Sequence, residues 1–164
     1  MRINPIECES KVAHLLVTNR LSKLYKKIDV LPNHIVRYDG KDFSGNDIAV
    51  PCDSTIKHWW EEVDSEGNPT ENYSEFSCPF GAVSDFLWIQ EPWIAIDGRL
   101  YFEAELLSPS KMAQNDLLQI IEAIGWRSAN TLEFSQARIL LKITDLEVVN
   151  INDIWLWKLT VTRV

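Results

Sequence analysis

Apolar positions recur along this chain in two rhythms, one helical and one alternating, and the switches between them divide it. In residues 10–27, SKVAHLLVTNRLSKLYKK, Val12, Leu15 and Leu16 recur at helical spacing, with Leu21 and Leu24 continuing the stripe. The spacing predicts a helix over 10–27. Ser10 would cap its start through the hydroxyl, and Lys26 and Lys27 would sit at the end where the helix dipole favours cations. Residues 28–57 break into short apolar runs between the turn signals Asp39-Gly40 and Ser44-Gly45-Asn46-Asp47, with IVRYDGKDF as one strand or two. Residues 61–77, EEVDSEGNPTENYSEFS, are polar and acidic around Gly67-Asn68-Pro69, which predicts a solvated loop.

The second half is richer in strand signals. FLWIQEPWIAI, residues 86–96, concentrates β-branched and aromatic side chains and should hold a buried strand. Pro92 allows only an edge or a bulge at that point. Asp97-Gly98 is a hairpin turn, with RLYFEAEL, residues 99–106, as the returning strand. Residues 110–124 predict a helix closed by Gly125. RILLKITDLEVV, residues 138–149, and IWLWKLTVTRV, residues 154–164, predict two further strands. Many short strands with a helix on either side predict an α+β domain, a small mixed β-barrel flanked by helices, spanning residues 1–164.

Composition narrows the possible partners. At 164 residues with 46% apolar content the chain suits one globular domain. No stretch approaches the roughly 20 apolar residues of a membrane span. The acidic opening MRINPIECES is unlike a signal peptide, so a cytoplasmic protein without membrane partners is expected. Cys8, Cys52 and Cys78 are odd in number and widely spaced, and His14, His34 and His58 are scattered. Neither a disulfide framework, a metal site nor a cofactor is expected. The net charge of −8 is unevenly placed: residues 1–60 carry net +2, residues 61–110 net −10, and residues 111–164 are balanced. Phosphate affinity rests on released counterions, so a nucleic-acid site here must be local.

Three segments carry a family likeness. CPFGAVSDFLWIQEPW, residues 78–93, resembles a segment that in the ASCH proteins common in phages and prophages, a branch of the PUA-like superfamily, reads of the type CPYGQPGDRLWVRETW. Cys78, Pro79, Gly81, Asp85, Leu87, Trp88, Glu91 and Trp93 match. Residues 126–149 resemble WRPSIHMPRWASRITLEVTDVRVE through Trp126, Arg127, Arg138, Thr144 and Asp145, with Leu132 near the family methionine. The ending IWLWKLTVTRV is similar to PWVWVIEFRRV through Trp155, Trp157 and Val164. The resemblance implies a PUA-like barrel and a binding module for RNA or a modified nucleotide. It departs from the family where the chemistry lies. NRLSKLYKK, residues 19–27, stands for a motif such as GRKTQTRR, with Leu21 at the lysine and Ser22 at the threonine. In family members that hydrolyse acetylated cytidine nucleosides, that lysine and threonine act with a glutamate. Phe86 and Gln90 replace two family arginines and Phe134 a third. A family excursion before the last strand is also missing, which would open the barrel mouth.

The candidate nucleic-acid-binding set is therefore Arg20, Lys23, Lys26, Glu91, Trp93, Trp126, Arg127 and Arg138. Each also has a plain structural reading. The basic residues, with Lys27, could be a solvated helix face. Glu91 could hold a loop amide, and Arg127 and Arg138 could form ion pairs. Trp88, Trp155 and Trp157 read as core. The second reading is an acidic phage-type protein that binds a host nuclease or defence complex through Glu61, Glu62, Asp64 and Glu66. A residual nucleoside hydrolase ranks third, because Leu21 cannot act as acid, base or charge stabiliser.

Overall fold

The computed structural model describes residues 1–29, 33–38, 58–106 and 115–164. By their contacts these fall into two compact units, both discontinuous in sequence: 1–24, 80–146 and 159–164 form one, 25–79 and 147–158 the other. The element order is β1 (Ile3–Glu7), α1 (Ser10–Val17), β2 (Lys23–Lys27), β3 (His34–Tyr38), β4 (His58–Val63), β5 (Pro69–Phe76), β6 (Phe86–Gln90), β7 (Trp93–Ile96), β8 (Arg99–Phe102), α2 (Glu103–Leu106), α3 (Asn115–Ile124), β9 (Leu140–Ile151) and β10 (Ile154–Arg163). Two 3-10 turns, Ala129–Thr131 and Phe134–Gln136, precede β9. The class is α+β, mostly sheet. A five-stranded sheet runs β1-β6-β9-β10-β2; β3-β4-β5 and β7-β8 form smaller ones. The five-stranded order is open, with β1 and β2 at its edges. Among the described residues no helix is long and apolar enough to cross a membrane.

In the first unit β6 is the central strand. It pairs parallel with β1, Ile3 opposite Phe86 through Glu7 opposite Gln90, and antiparallel with β9, Trp88 opposite Leu140. Leu87, Trp88 and Ile89 are buried in succession, so both faces of the strand are covered. Leu141 and Ile143 on β9, Leu159 and Val161 on β10, and Ala13 and Leu16 on α1 are also buried. Trp88, Trp93, Phe102 and Leu132 form a cluster, and Phe134 meets Trp88 edge-on at 5.8 Å. β1 was not legible in INPIE, which is short and carries a proline. Pro5 is tolerated because β1 lies at a sheet edge.

The start of β6 is fixed by Asp85. Its Oδ1 accepts the Arg2 amide N–H at 2.7 Å and its Oδ2 accepts that of Ala82 at 3.1 Å, tying the turn before β6 to the residue before β1. Gly81 makes that turn at φ +120°, and a Cβ there would lie 2.9 Å from Asn4 Nδ2, so the position tolerates little else. Asn4 in turn donates to the Phe80 carbonyl at 3.0 Å. Gly81 and Asp85 of the 78–93 segment thus have structural parts in this turn.

The expected helix over 10–27 stops at Val17. Thr18 Oγ1 donates back to the His14 carbonyl at 2.9 Å, and Asn19 at φ 54° leaves the helical path. Lys23–Lys27 is a strand with Leu24 buried, so Lys26 and Lys27 do not end a helix. The spacing of Leu21 and Leu24 fits a helix by chance; pairing with β10 decides otherwise. Nor does Ser10 cap: Glu9 holds that place without a side-chain bond, and Ser10 Oγ donates to Glu103 on α2.

The expected loop at 61–77 is instead a hairpin, β4 with β5, closed at its tip by Asp64. Asp64 Oδ1 accepts the amides of Asn68 and Glu66 at 2.8 and 2.9 Å, and Gly67 turns at φ +86°. Polar composition there reports exposure, not the lack of a strand partner. The expected strand over 99–106 ends at Phe102, where Glu103 opens α2 and donates its amide to the Pro92 carbonyl at 3.1 Å. The turns at Asp97-Gly98 and Asn152-Asp153 adopt positive φ at both residues, as two-residue hairpin turns require. Gly125 closes α3 at φ +83°, its amide bonded to the Ile121 carbonyl at 2.7 Å. The turns expected at Asp39-Gly40 and Ser44–Asp47, Cys52, and the first residues of the helix expected over 110–124 lie outside the described residues.

Trp88 and Trp157 are 9% and 2% exposed. Trp88→Ala and Trp157→Ala are each expected to cost about 3–5 kcal/mol in urea unfolding, as when a large aromatic leaves a core. Asp85 generates a pH prediction. The N–H groups of Arg2 first, then Ala82, hold its carboxyl below the usual 3.8. A depressed carboxyl contributes stability above its unfolded pKa, and loses it as pH falls through the lower folded value. Asp85→Asn should therefore lower stability at neutral pH and flatten its decline below about pH 4, read from denaturation midpoints across pH.

Candidate functional site

Glu91, Pro92 and Trp93 form the corner between β6 and β7. Pro92 has no N–H to continue a ladder, so the chain turns there. The corner points the Glu91 side chain inward, where it is fully buried at 0% exposure. Arg138, just ahead of β9, meets it as a two-pronged ion pair: Nε to Oε1 at 2.8 Å and Nη2 to Oε2 at 2.9 Å. Nη1 reaches Glu105 Oε1 of α2 at 3.3 Å. The guanidinium also lies 4.5 Å from the centre of the Phe102 ring. Two carboxylates face one cation, so Arg138 has no net positive charge to offer a phosphate. Glu91 and Arg138 take their structural reading.

Arg127 has a different setting. Its backbone and that of Trp93 exchange both hydrogen bonds, Arg127 N–H to Trp93 C=O at 2.8 Å and the reverse at 3.4 Å. That bridge lays the Arg127 guanidinium over the Trp93 indole at 4.8 Å. The side chain is exposed and has no carboxylate partner among the described residues. Trp93 itself is 4% exposed, and its Nε1 donates to Thr131 Oγ1 at 3.1 Å. Thr131 Oγ1 donates onward to the Ser128 carbonyl at 2.6 Å. Trp93 is thereby a platform for Arg127 and not a free stacking face. Trp126, half-buried, is the open aromatic. These residues, with Glu133 and Gln136, line a cleft of about 590 Å³. Glu133 and Gln136 fix one another in a capping box, with the Glu133 amide donating to Gln136 Oε1 at 3.1 Å.

The eight expected residues therefore do not form one site. Trp93, Trp126 and Arg127 share the cleft, while Glu91 and Arg138 form the ion pair behind the β6–β7 corner. Arg20 and Lys23 are exposed at the end of α1 and the start of β2, and Lys26 is half-buried on β2 in the second unit. None of the three lines the cleft. Sequence reasoning missed Ser128, Thr131, Glu133 and Gln136. The Glu133-x-x-Gln136 spacing was a readable capping signal, and the rest depended on the Trp93 bridge.

Leu21 and Ser22 line a separate cleft of about 570 Å³, with Leu16 and Asn19 and the end of β10. Glu91 is not among its lining residues, and its one cation, Arg163, donates to the Val17 carbonyl at 3.0 Å. No base therefore faces Ser22 in that cleft. The four acidic residues of the second reading also separate. Glu61 is 1% exposed, not on a solvated loop, and accepts the Glu71 amide at 3.3 Å. Asp64 holds its turn and is exposed, as Glu62 and Glu66 are. Among the described residues no three His, Cys, Asp or Glu side chains are placed to hold a metal, and Cys8 and Cys78 are buried.

No family model, curated protein or solved structure matches the chain.

The ion pair can be tested directly. Arg138→Met should cost about 3–5 kcal/mol, because it strands the fully buried Glu91 carboxylate. The double variant Glu91→Ala/Arg138→Met should lose clearly less than the sum of the two single changes, as a double-mutant cycle in urea would read.

Proposed function

We propose that this protein is an ASCH-like module of the PUA-like type that binds single-stranded RNA or a modified nucleotide at the Trp126–Arg127 cleft. The five-stranded sheet is read as the wall of its barrel. The observation that carries the binding reading is the state of Arg127: an exposed guanidinium 4.8 Å over the Trp93 ring, beside a second indole and with no carboxylate partner among the described residues. A planar cation on an aromatic face keeps its edge N–H groups free for a phosphate. An adjacent open indole offers a base its stacking surface. Single strands suit the cleft better than a duplex, since stacking needs an unpaired base. The hydrolase reading falls further, because Leu21, Ser22 and Glu91 do not converge on one cleft. The acidic reading, a host nuclease or defence complex met through the 61–66 segment, keeps Glu62, Asp64 and Glu66 as its exposed contacts.

Titration with short single-stranded RNA, single-stranded DNA and duplex DNA at low and moderate salt tests the proposal. Single strands should bind more tightly than duplex, and Arg127→Gln should weaken binding about tenfold, a charge-assisted contact's worth. Arg20→Gln should leave affinity nearly unchanged. Absence of binding to every probe near ~100 μM protein, the weak end of non-specific affinity, would overturn it. Charge reversal at Glu62 and Glu66 would then be the next comparison.

A further inference from the structure

The cleft has features that a running groove for a strand would not need. Among the described residues Arg127 is the only lysine or arginine that lines it. Arg138 is neutralised by Glu91 and Glu105, and Glu133 adds a negative charge at the cleft's own rim. The 590 Å³ of space is in the range of a small-ligand pocket and is short for several nucleotides. Hydrogen-bonding capacity is also limited. The Thr131 hydroxyl is occupied on both sides, by Trp93 Nε1 and the Ser128 carbonyl. The Gln136 carbonyl oxygen is occupied by the Glu133 amide. What remains is the Ser128 hydroxyl, the Gln136 amino group and part of the Glu133 carboxylate, enough to meet one base edge.

Building on the proposed nucleic-acid reading, we propose that the cleft is a single-nucleotide pocket, taking one base against Trp126 and one phosphate on the edge of Arg127. Its ligand class is a nucleoside monophosphate, free or at the end of a strand. One cation neutralises one phosphate, so the salt dependence should be that of a single contact, with a slope of log affinity on log salt of about −0.7 for a single strand. The aromatic platform under Arg127 makes the site selective for the phosphate's position and not merely for negative charge. A lysine there would keep the charge and lose the planar stack on Trp93.

Calorimetric titration of the full chain with adenosine and cytidine, their 5′- and 3′-monophosphates, inorganic phosphate, and a short RNA with and without a terminal phosphate tests this. Monophosphates should bind about tenfold more tightly than nucleosides, the worth of one charge-assisted contact. Inorganic phosphate alone should bind far more weakly than either monophosphate. Arg127→Gln should erase the difference between nucleotide and nucleoside, and Arg127→Lys should restore only part of it. Trp126→Ala should weaken both ligands alike, with circular dichroism confirming the fold. Equal affinity for nucleoside and nucleotide overturns the single-phosphate pocket. So does RNA binding with a salt slope of several phosphates, and that result leaves the nucleic-acid reading standing. Failure of every nucleoside, nucleotide and RNA to bind overturns both.

Discussion

A carboxylate with no contact to solvent needs a partner fixed against it to offset its lost hydration, and Glu91 has one in Arg138. This pair organises the first unit. Glu91 follows the central strand β6, Arg138 precedes its neighbour β9, and Glu105 brings α2 to the same guanidinium. Two-pronged geometry allows little slippage, so the pair reinforces the register set by Trp88 opposite Leu140. The corner it anchors continues through Pro92 to Trp93, whose backbone bridge to Arg127 carries the cleft. The binding surface thus hangs from the most constrained point of the unit, where a side chain is held to a fraction of an ångström at low entropic cost on binding.

The two arginines shared with the ASCH pattern show why residue type alone does not assign a role. Both lie on aromatic rings, Arg127 over Trp93 and Arg138 over Phe102. Arg138 is matched by two carboxylates and closes the structure. Arg127 is matched by none among the described residues and faces outward. The net charge of −8 decides neither case, because the field that a ligand meets within a few ångströms is set by the nearest groups. The same holds for the acidic segment. Its negative charge is real, yet Glu61 is inside and Asp64 serves its own turn.

The α+β class, the strands at 86–96, 138–149 and 154–164, the Asp97-Gly98 turn and the Gly125 helix stop were legible in the sequence. They rest on local rules: alternation, turn residues and left-handed glycine. The errors share a cause. A helix was read through 18–27, a loop at 61–77 and a strand at 103–106 because local composition was allowed to speak for pairing. Lys23–Lys27 is a strand because β10 lies beside it, and the acidic 61–77 segment is ordered because β4 and β5 close on each other across Asp64.

The sequence by itself determined which residues could take part: a buried-strand run containing one glutamate, two arginines after Trp126, and turns at fixed places. Their division of labour came only from tertiary structure. Whether a guanidinium is neutralised depends on which carboxylates arrive beside it from elsewhere in the chain, and Arg138 and Glu91 are 47 residues apart. The bridge to Trp93 holds Arg127 in a cleft that neither Glu91 nor Glu105 lines. Coulomb energy falls with distance in space and takes no account of distance along the chain, so no pattern local to either arginine could have separated them.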